Sequence, residues 1–172
     1  MDLWRILGLD PGDPPAHARY GELFAEVSRL LADRSEEEIK RIAGFAGLLG
    51  AVAQADDEMT PAELDRIGGI LRDRLRLTGD EIAPIVTLLR EQRVRLFALE
   101  SHIYARLVND VVPREQKHDL LRALFHVAAV DHAINAEEDR TLWMLADALL
   151  FSHREFVTVR AEFSRDRNVM RD

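Results

Sequence analysis

The sequence predicts an all-α domain, and three observations carry that prediction. Apolar residues recur every three or four positions along the whole chain. No period-two run of β-branched residues is present, and no Asn-Gly or Asp-Gly hairpin turn occurs. Several segments open on a Ser, Thr or Asn followed three residues later by Glu, the capping box in which side chain and backbone satisfy each other's hydrogen bonds.

Taken in order, a short turn over 3–7 precedes a first helix near 16–33, where Tyr20, Leu23, Phe24, Val27, Leu30 and Leu31 form one stripe. Ser35 and Glu38 open a second helix over 36–55. Its glycines 44, 47 and 50, with neighbouring alanines, make a small-residue face suited to a close crossing at the centre of the bundle. Thr60 and Glu63 open a third over 61–76, with Pro61 at the first helical position, where its missing N–H costs nothing. Gly68-Gly69 within it predicts close packing or a bend. Thr78 and Glu81 open a helix over 79–92, in which Pro84 predicts a kink or a late start. A helix over 94–110 either follows separately or continues it with a bend. Pro113 starts 114–130, Asn135 and Glu138 start 136–150, and Ser152 and Glu155 start 153–166.

Composition narrows the function. The 172 residues carry 23 Lys+Arg against 31 Asp+Glu, a net charge of 23 − 31 = −8, which opposes nonspecific binding to nucleic acid. With no cysteine, a disulfide scaffold, a thiolate zinc site and a cysteine nucleophile are all excluded. The longest apolar run, around Ile42–Ala53, falls short of the ~20 residues of a membrane span, so membrane insertion is not expected. Met1–Arg5 shows no basic leader, and a cytoplasmic protein is expected. The Pro/Gly-rich stretch Gly8–Pro15 separates a hook (Leu3, Trp4, Ile6, Leu7), expected to pack back on the body. The division drawn is 1–35 for hook, loop and first helix, and 36–172 for the main helical domain.

The most informative feature is a match at an offset of 75 residues. Ala53–Glu63 aligns with Ala128–Glu138, each a small-residue helix end followed by an Asp (Asp56, Asp131). An apolar residue comes three later (Met59, Ile134), then a cap and its Glu. Two units of helix, acidic loop and helix, related by a pseudo-two-fold axis and sharing one core, are expected. These residues, an Asp with a Glu seven later after an alanine-rich helix end, resemble the TerB-like tellurite-resistance domain over roughly 36–166. The resemblance implies an all-helical, cytoplasmic, noncatalytic protein linked to tellurite and stress resistance, with acidic residues facing a metal ion. The family's Gly after each Asp is replaced here by Asp57 and His132. Leu3–Asp10 also resembles the opening of a J-domain, but the His-Pro-Asp tripeptide needed to stimulate a chaperone ATPase is missing.

Asp56, Glu63, Asp131 and Glu138 are therefore the candidate ligands of a divalent metal, with Asp57 and His132 peripheral. Carboxylates suit calcium or magnesium, and a histidine nitrogen shifts the choice toward manganese or zinc. The competing reading makes Glu63 and Glu138 plain capping residues and the protein an adaptor. EF-hand spacing, a His-Glu-x-x-His pair and a nucleophile elbow are all missing, so no catalytic residue is assigned. His126 is expected to be half-buried. Between Arg66 and Arg95, seven arginines face four acids, and Arg72, Arg76, Arg90 and Arg93 are the candidate partner-binding residues. Expected partners are other proteins, including a membrane-associated complex, and homo-oligomers are compatible; nucleic acid is not expected.

Overall fold

A computed structural model of the chain describes residues 20–55, 59–91, 95–130 and 133–169, with backbone alone at 95–99 and 165–169. The described residues form eight helices and no strand: α1 (Glu22–Leu30), α2 (Glu36–Ala53), α3 (Pro61–Leu75), α4 (Gly79–Glu91), α5 (Arg95–Val111), α6 (Arg114–Ala128), α7 (Ala136–Ala148) and α8 (His153–Val169). The hook, the Pro/Gly loop and the proposed bend at 92–94 lie outside the described residues.

All the expected capping boxes form, at Ser35/Glu38, Thr60/Glu63, Thr78/Glu81, Asn135/Glu138 and Ser152/Glu155. They set the helix starts to the residue, because each gives otherwise unpaired N–H groups a partner. The helix starting after Thr78 begins at Gly79 as capped, so Pro84 does not delay it. The helix expected over 16–33 is instead interrupted at Gly21, whose φ of 85° and ψ of 166° lie where side-chain-bearing residues are strained. A Cβ at Gly21 would lie 3.0 Å from the Glu100 carboxylate, so glycine there lets the backbone pass close to that side chain of α5.

The small-residue face works as expected. α2 is buried along residues 42–53 and packs against α1, α3, α5, α6 and α7, with α5 its most extensive neighbour. A helix apolar on all sides belongs at the centre of a bundle. A Cβ built on Gly47 would lie 2.4 Å from the Tyr104 ring, and one on Gly44 2.7 Å from Val108, so these glycines let α5 approach. Tyr104 is fully buried; its hydroxyl hydrogen-bonds the Glu100 carboxylate, and burial first, then that carboxylate, push its pKa up. Gly68 meets Ile82 at ordinary contact distance, whereas Gly69 faces open space, so only the first serves packing.

Two helix directions matter for function. Arg74 pairs with Asp119 at 3.4 Å, and Val130 lines a groove with Ala62, Arg66 and Ile70. With a rise of about 1.5 Å per residue, both contacts are met only if α6 runs antiparallel to α3. The end of α6 therefore lies beside the start of α3. Each of α3 and α7 follows a buried helix and a loop and opens on a capping box, as the sequence match requires; a repeat of the whole unit about a pseudo-two-fold axis is not established by this.

Candidate functional site

Glu63 and Glu138 are the two glutamates of the matched loops, and both are buried, at 5% and 7% exposure. Thr60 N–H donates to Glu63 Oε2 at 2.8 Å, the Thr60 hydroxyl adds a bond at 3.1 Å, and Glu63 N–H donates back to Thr60 Oγ1 at 3.2 Å. In the second copy Asn135 N–H donates to Glu138 Oε2 at 2.7 Å, while Glu137 and Glu138 N–H donate to Asn135 Oδ1 at 2.8 and 2.9 Å. Charge buried at a helix N-terminus is tolerable because unpaired N–H groups and the helix dipole face it. Met59 and Ile134, just before the caps, pack on the core and pin each loop's exit.

The other three capping glutamates are less buried and lean on arginines. Arg34 bridges Glu38 at 3.1 Å and Glu81 at 2.7 Å; Arg114 meets Glu155 at 2.6 Å. Backbone N–H donation from Ser35 and Thr78, then Arg34, hold Glu38 and Glu81 below the usual carboxylate range. The Arg114 hydrogen bond, then Ser152, lowers Glu155 to about 2.

Asp56, Asp57, Asp131 and His132 lie outside the described residues, as does Glu58. Among the described residues no group of three or more His, Asp and Glu is placed to hold a metal. The residues flanking the loops are nevertheless brought together. Thr60 caps α3, and Val130, the residue before Asp131, lines a groove with Ala62 and Arg66 on that helix. Both acidic segments therefore join the fold at the same end of the α3–α6 pair.

The arginines are only partly gathered. Arg72 and Arg76 are exposed at the α3–α4 turn, with Arg76 in the left-handed region at φ 55°. Arg90 is exposed near the far end of α4, about 15–20 Å along that helix from the turn, and Arg93 lies outside the described residues. The expectation for His126 is corrected: it is exposed, with its ring edge-on to Phe163 at 5.3 Å, because its position on α6 points away from the stripe of Leu124 and Val127.

One cluster was not legible in the sequence. Asn109 Nδ2 donates to the Ala148 carbonyl at 2.9 Å, Lys117 Nζ to that of Leu149 at 3.5 Å, and Arg114 to that of Leu150 at 2.9 Å. Three side chains from α5 and α6 thus cap the end of α7. Lys117 is buried and also donates to Asn109 Oδ1 at 3.0 Å; desolvation, then Arg114, lower its pKa. Only local spacing was available as a signal, and the carbonyl partners lie more than thirty residues away.

Fold and caps define a class: an all-helical domain built on a buried central helix, with two acidic interhelical segments closed by buried capping glutamates. The family model for tellurite resistance protein TerB matches residues 41–161, most of the chain. The chain belongs to the TerB family. Neither a curated protein nor a solved structure gives a significant match. Among the described residues, no helix is long and apolar enough to cross a membrane.

Proposed function

We propose that this TerB-family protein is a noncatalytic component of tellurite or stress resistance that holds a divalent cation between its two acidic interhelical segments. Asp56, Glu63, Asp131 and Glu138 supply oxygen ligands, with Asp57 and His132 at the periphery. The observation that supports this reading is the antiparallel α3–α6 pairing, which sets Val130, next to Asp131, beside the helix that Thr60 and Glu63 open. A hard cation needs several oxygens from more than one segment, and this end of the fold joins two carboxylate-bearing segments. Glu63 and Glu138 are already ordered by their caps, so they would pay little entropy on binding.

A second reading is favoured by the same hydrogen bonds. Oε2 of each glutamate serves its cap, so the loops can be structural and the protein an adaptor. Calorimetric titration of chelator-stripped protein with calcium, magnesium, manganese and zinc separates the two. Saturable heat that vanishes in Asp56→Ala/Asp131→Ala supports the metal site. No heat with any ion leaves the adaptor.

A further inference from the structure

We infer that α7 pairs antiparallel with α7 of a second copy of this chain, forming a two-fold dimer centred on Met144 and Trp143. The inference stands whether or not the acidic segments hold a cation.

Exposed apolar surface is concentrated on the α7–α8 hairpin. Of the four large apolar side chains exposed among the described residues, Met144, Leu150 and Val157 belong to it, and only Leu30 lies elsewhere. Met144 is 50% exposed in the middle of α7, and its neighbour Trp143 is half-buried. The Trp143 ring stands edge-on to His153 at 5.0 Å and to Phe156 at 5.2 Å, while Arg160 meets Asp139 at 3.1 Å. These contacts run α8 antiparallel to α7 and place Val157, between His153 and Arg160 on α8, along the same seam. Apolar side chains gathered on one hairpin, with charges around them, mark a contact surface.

The charges on this face choose the occupant. Arg140, Met144 and Asp147 are spaced by four and three residues, so they share one stripe of α7, and all three are exposed. Arg140 and Asp147 are about 10 Å apart along the axis, too far to pair with each other. Among the described residues neither has an ion-pair partner. Asp147 also lies in the last turn of α7, where the helix dipole disfavours an acid.

An antiparallel second copy answers each of these features. With Arg140 opposite Asp147 of the second copy, the two-fold sets Asp147 opposite Arg140 and Met144 opposite Trp143. Both charges gain a partner at each end of the seam, and a thioether meets an aromatic ring at its centre. A face that is its own complement suits a second copy; an unrelated partner would not require the basic and acidic ends to balance about Met144. At physiological salt the Debye length is about 8 Å, so the net charge of −8 on each copy does not outweigh contacts across the seam.

The test is sedimentation equilibrium of the full chain over a range of concentrations. A monomer–dimer equilibrium is expected for the parent, and Met144→Glu, which puts charge on the two-fold, is expected to raise its Kd roughly tenfold or more. Arg140→Glu alone opposes two acids at each end of the seam, and Asp147→Arg alone opposes two bases, so each is expected to weaken the dimer to a similar extent. Mixed one to one, these two variants restore an acid–base pair at both ends and re-form the dimer. Leu30→Glu, on α1, leaves the parent equilibrium unchanged. Circular dichroism confirms that each variant folds, as substitution at exposed positions should allow. A parent that stays monomeric at its highest soluble concentration, a dimer that survives Met144→Glu, or two charge variants that fail to rescue each other when mixed would overturn the inference.

Discussion

Replacing Gly47 by alanine tests the packing on which the bundle rests. The new methyl carbon would start 2.4 Å from Tyr104 Cγ and Cδ2 and 2.8 Å from Cδ1, all atoms of a ring with no exposed surface. Ordinary contact is 3.4 Å or more, so α2 and α5 must part by about 1 Å or the ring must leave its rotamer. Such overpacking costs about 1–3 kcal/mol, occasionally more, against about 1 kcal/mol that alanine returns in a helix interior. Displacing Tyr104 also strains the buried hydrogen bond to Glu100. A net loss of about 1–2 kcal/mol is expected, or roughly 2–8 °C in melting temperature for a domain of this size. Gly69→Ala is the matched control: it is also helical, but nothing lies within 4 Å, so it should stabilise by about 0.5–1 kcal/mol. Thermal and urea unfolding of both variants gives the answer. A Gly47→Ala protein as stable as the parent would refute the close α2–α5 approach.

Further outcomes follow from the helix ends. Leu150 sits at φ 67° and 68% exposure in a turn where Leu150 N–H reaches the Asp147 carbonyl and Phe151 N–H that of Ala146. This is the Schellman arrangement that glycine favours, so Leu150→Gly should raise stability by up to about 1 kcal/mol in urea unfolding. Glu63→Ala and Glu138→Ala each remove the buried carboxylate that accepts from the cap residue's N–H, and calorimetric melting should show losses of about 1–2 kcal/mol. Glu155, held near 2 by Arg114 and Ser152, has a folded pKa below its unfolded one. Its contribution is therefore complete above the unfolded value near 4.5 and disappears as pH falls toward 2. The melting-temperature gap between parent and Glu155→Gln should narrow over that window and stay constant at pH 5–8.

What was legible in the sequence was local. Capping boxes act within four residues, so Ser35, Thr60, Thr78, Asn135 and Ser152 announced five helix starts, and the structure forms all of them. Gly44 and Gly47 announced a close crossing, though not that Tyr104 and Val108 would fill it. The break at Gly21 was hidden inside an unbroken apolar stripe, since periodicity reports which face is buried and is silent on φ. The arginines looked like one patch because they are near in sequence. The α3–α4 hairpin folds the chain back, leaving Arg72 and Arg76 at the turn and Arg90 near the other end. Of the candidate ligands, the roles of Glu63 and Glu138 as caps followed from spacing, while their burial did not. The Asn109–Lys117–Arg114 cap on α7 depends on contacts between distant segments, which no local pattern encodes.

The central claim, a cation held between the two acidic segments, is tested most directly by melting chelator-stripped protein with and without each divalent ion. A ligand that binds only the folded state at a hundred times its Kd adds about 2.7 kcal/mol, or roughly 5–11 °C for a domain of this size. The account predicts such a rise for at least one ion and none in Asp56→Ala/Asp131→Ala, with that variant still folded. An unchanged melting temperature with calcium, magnesium, manganese and zinc, or a rise that survives in the double variant, would contradict it.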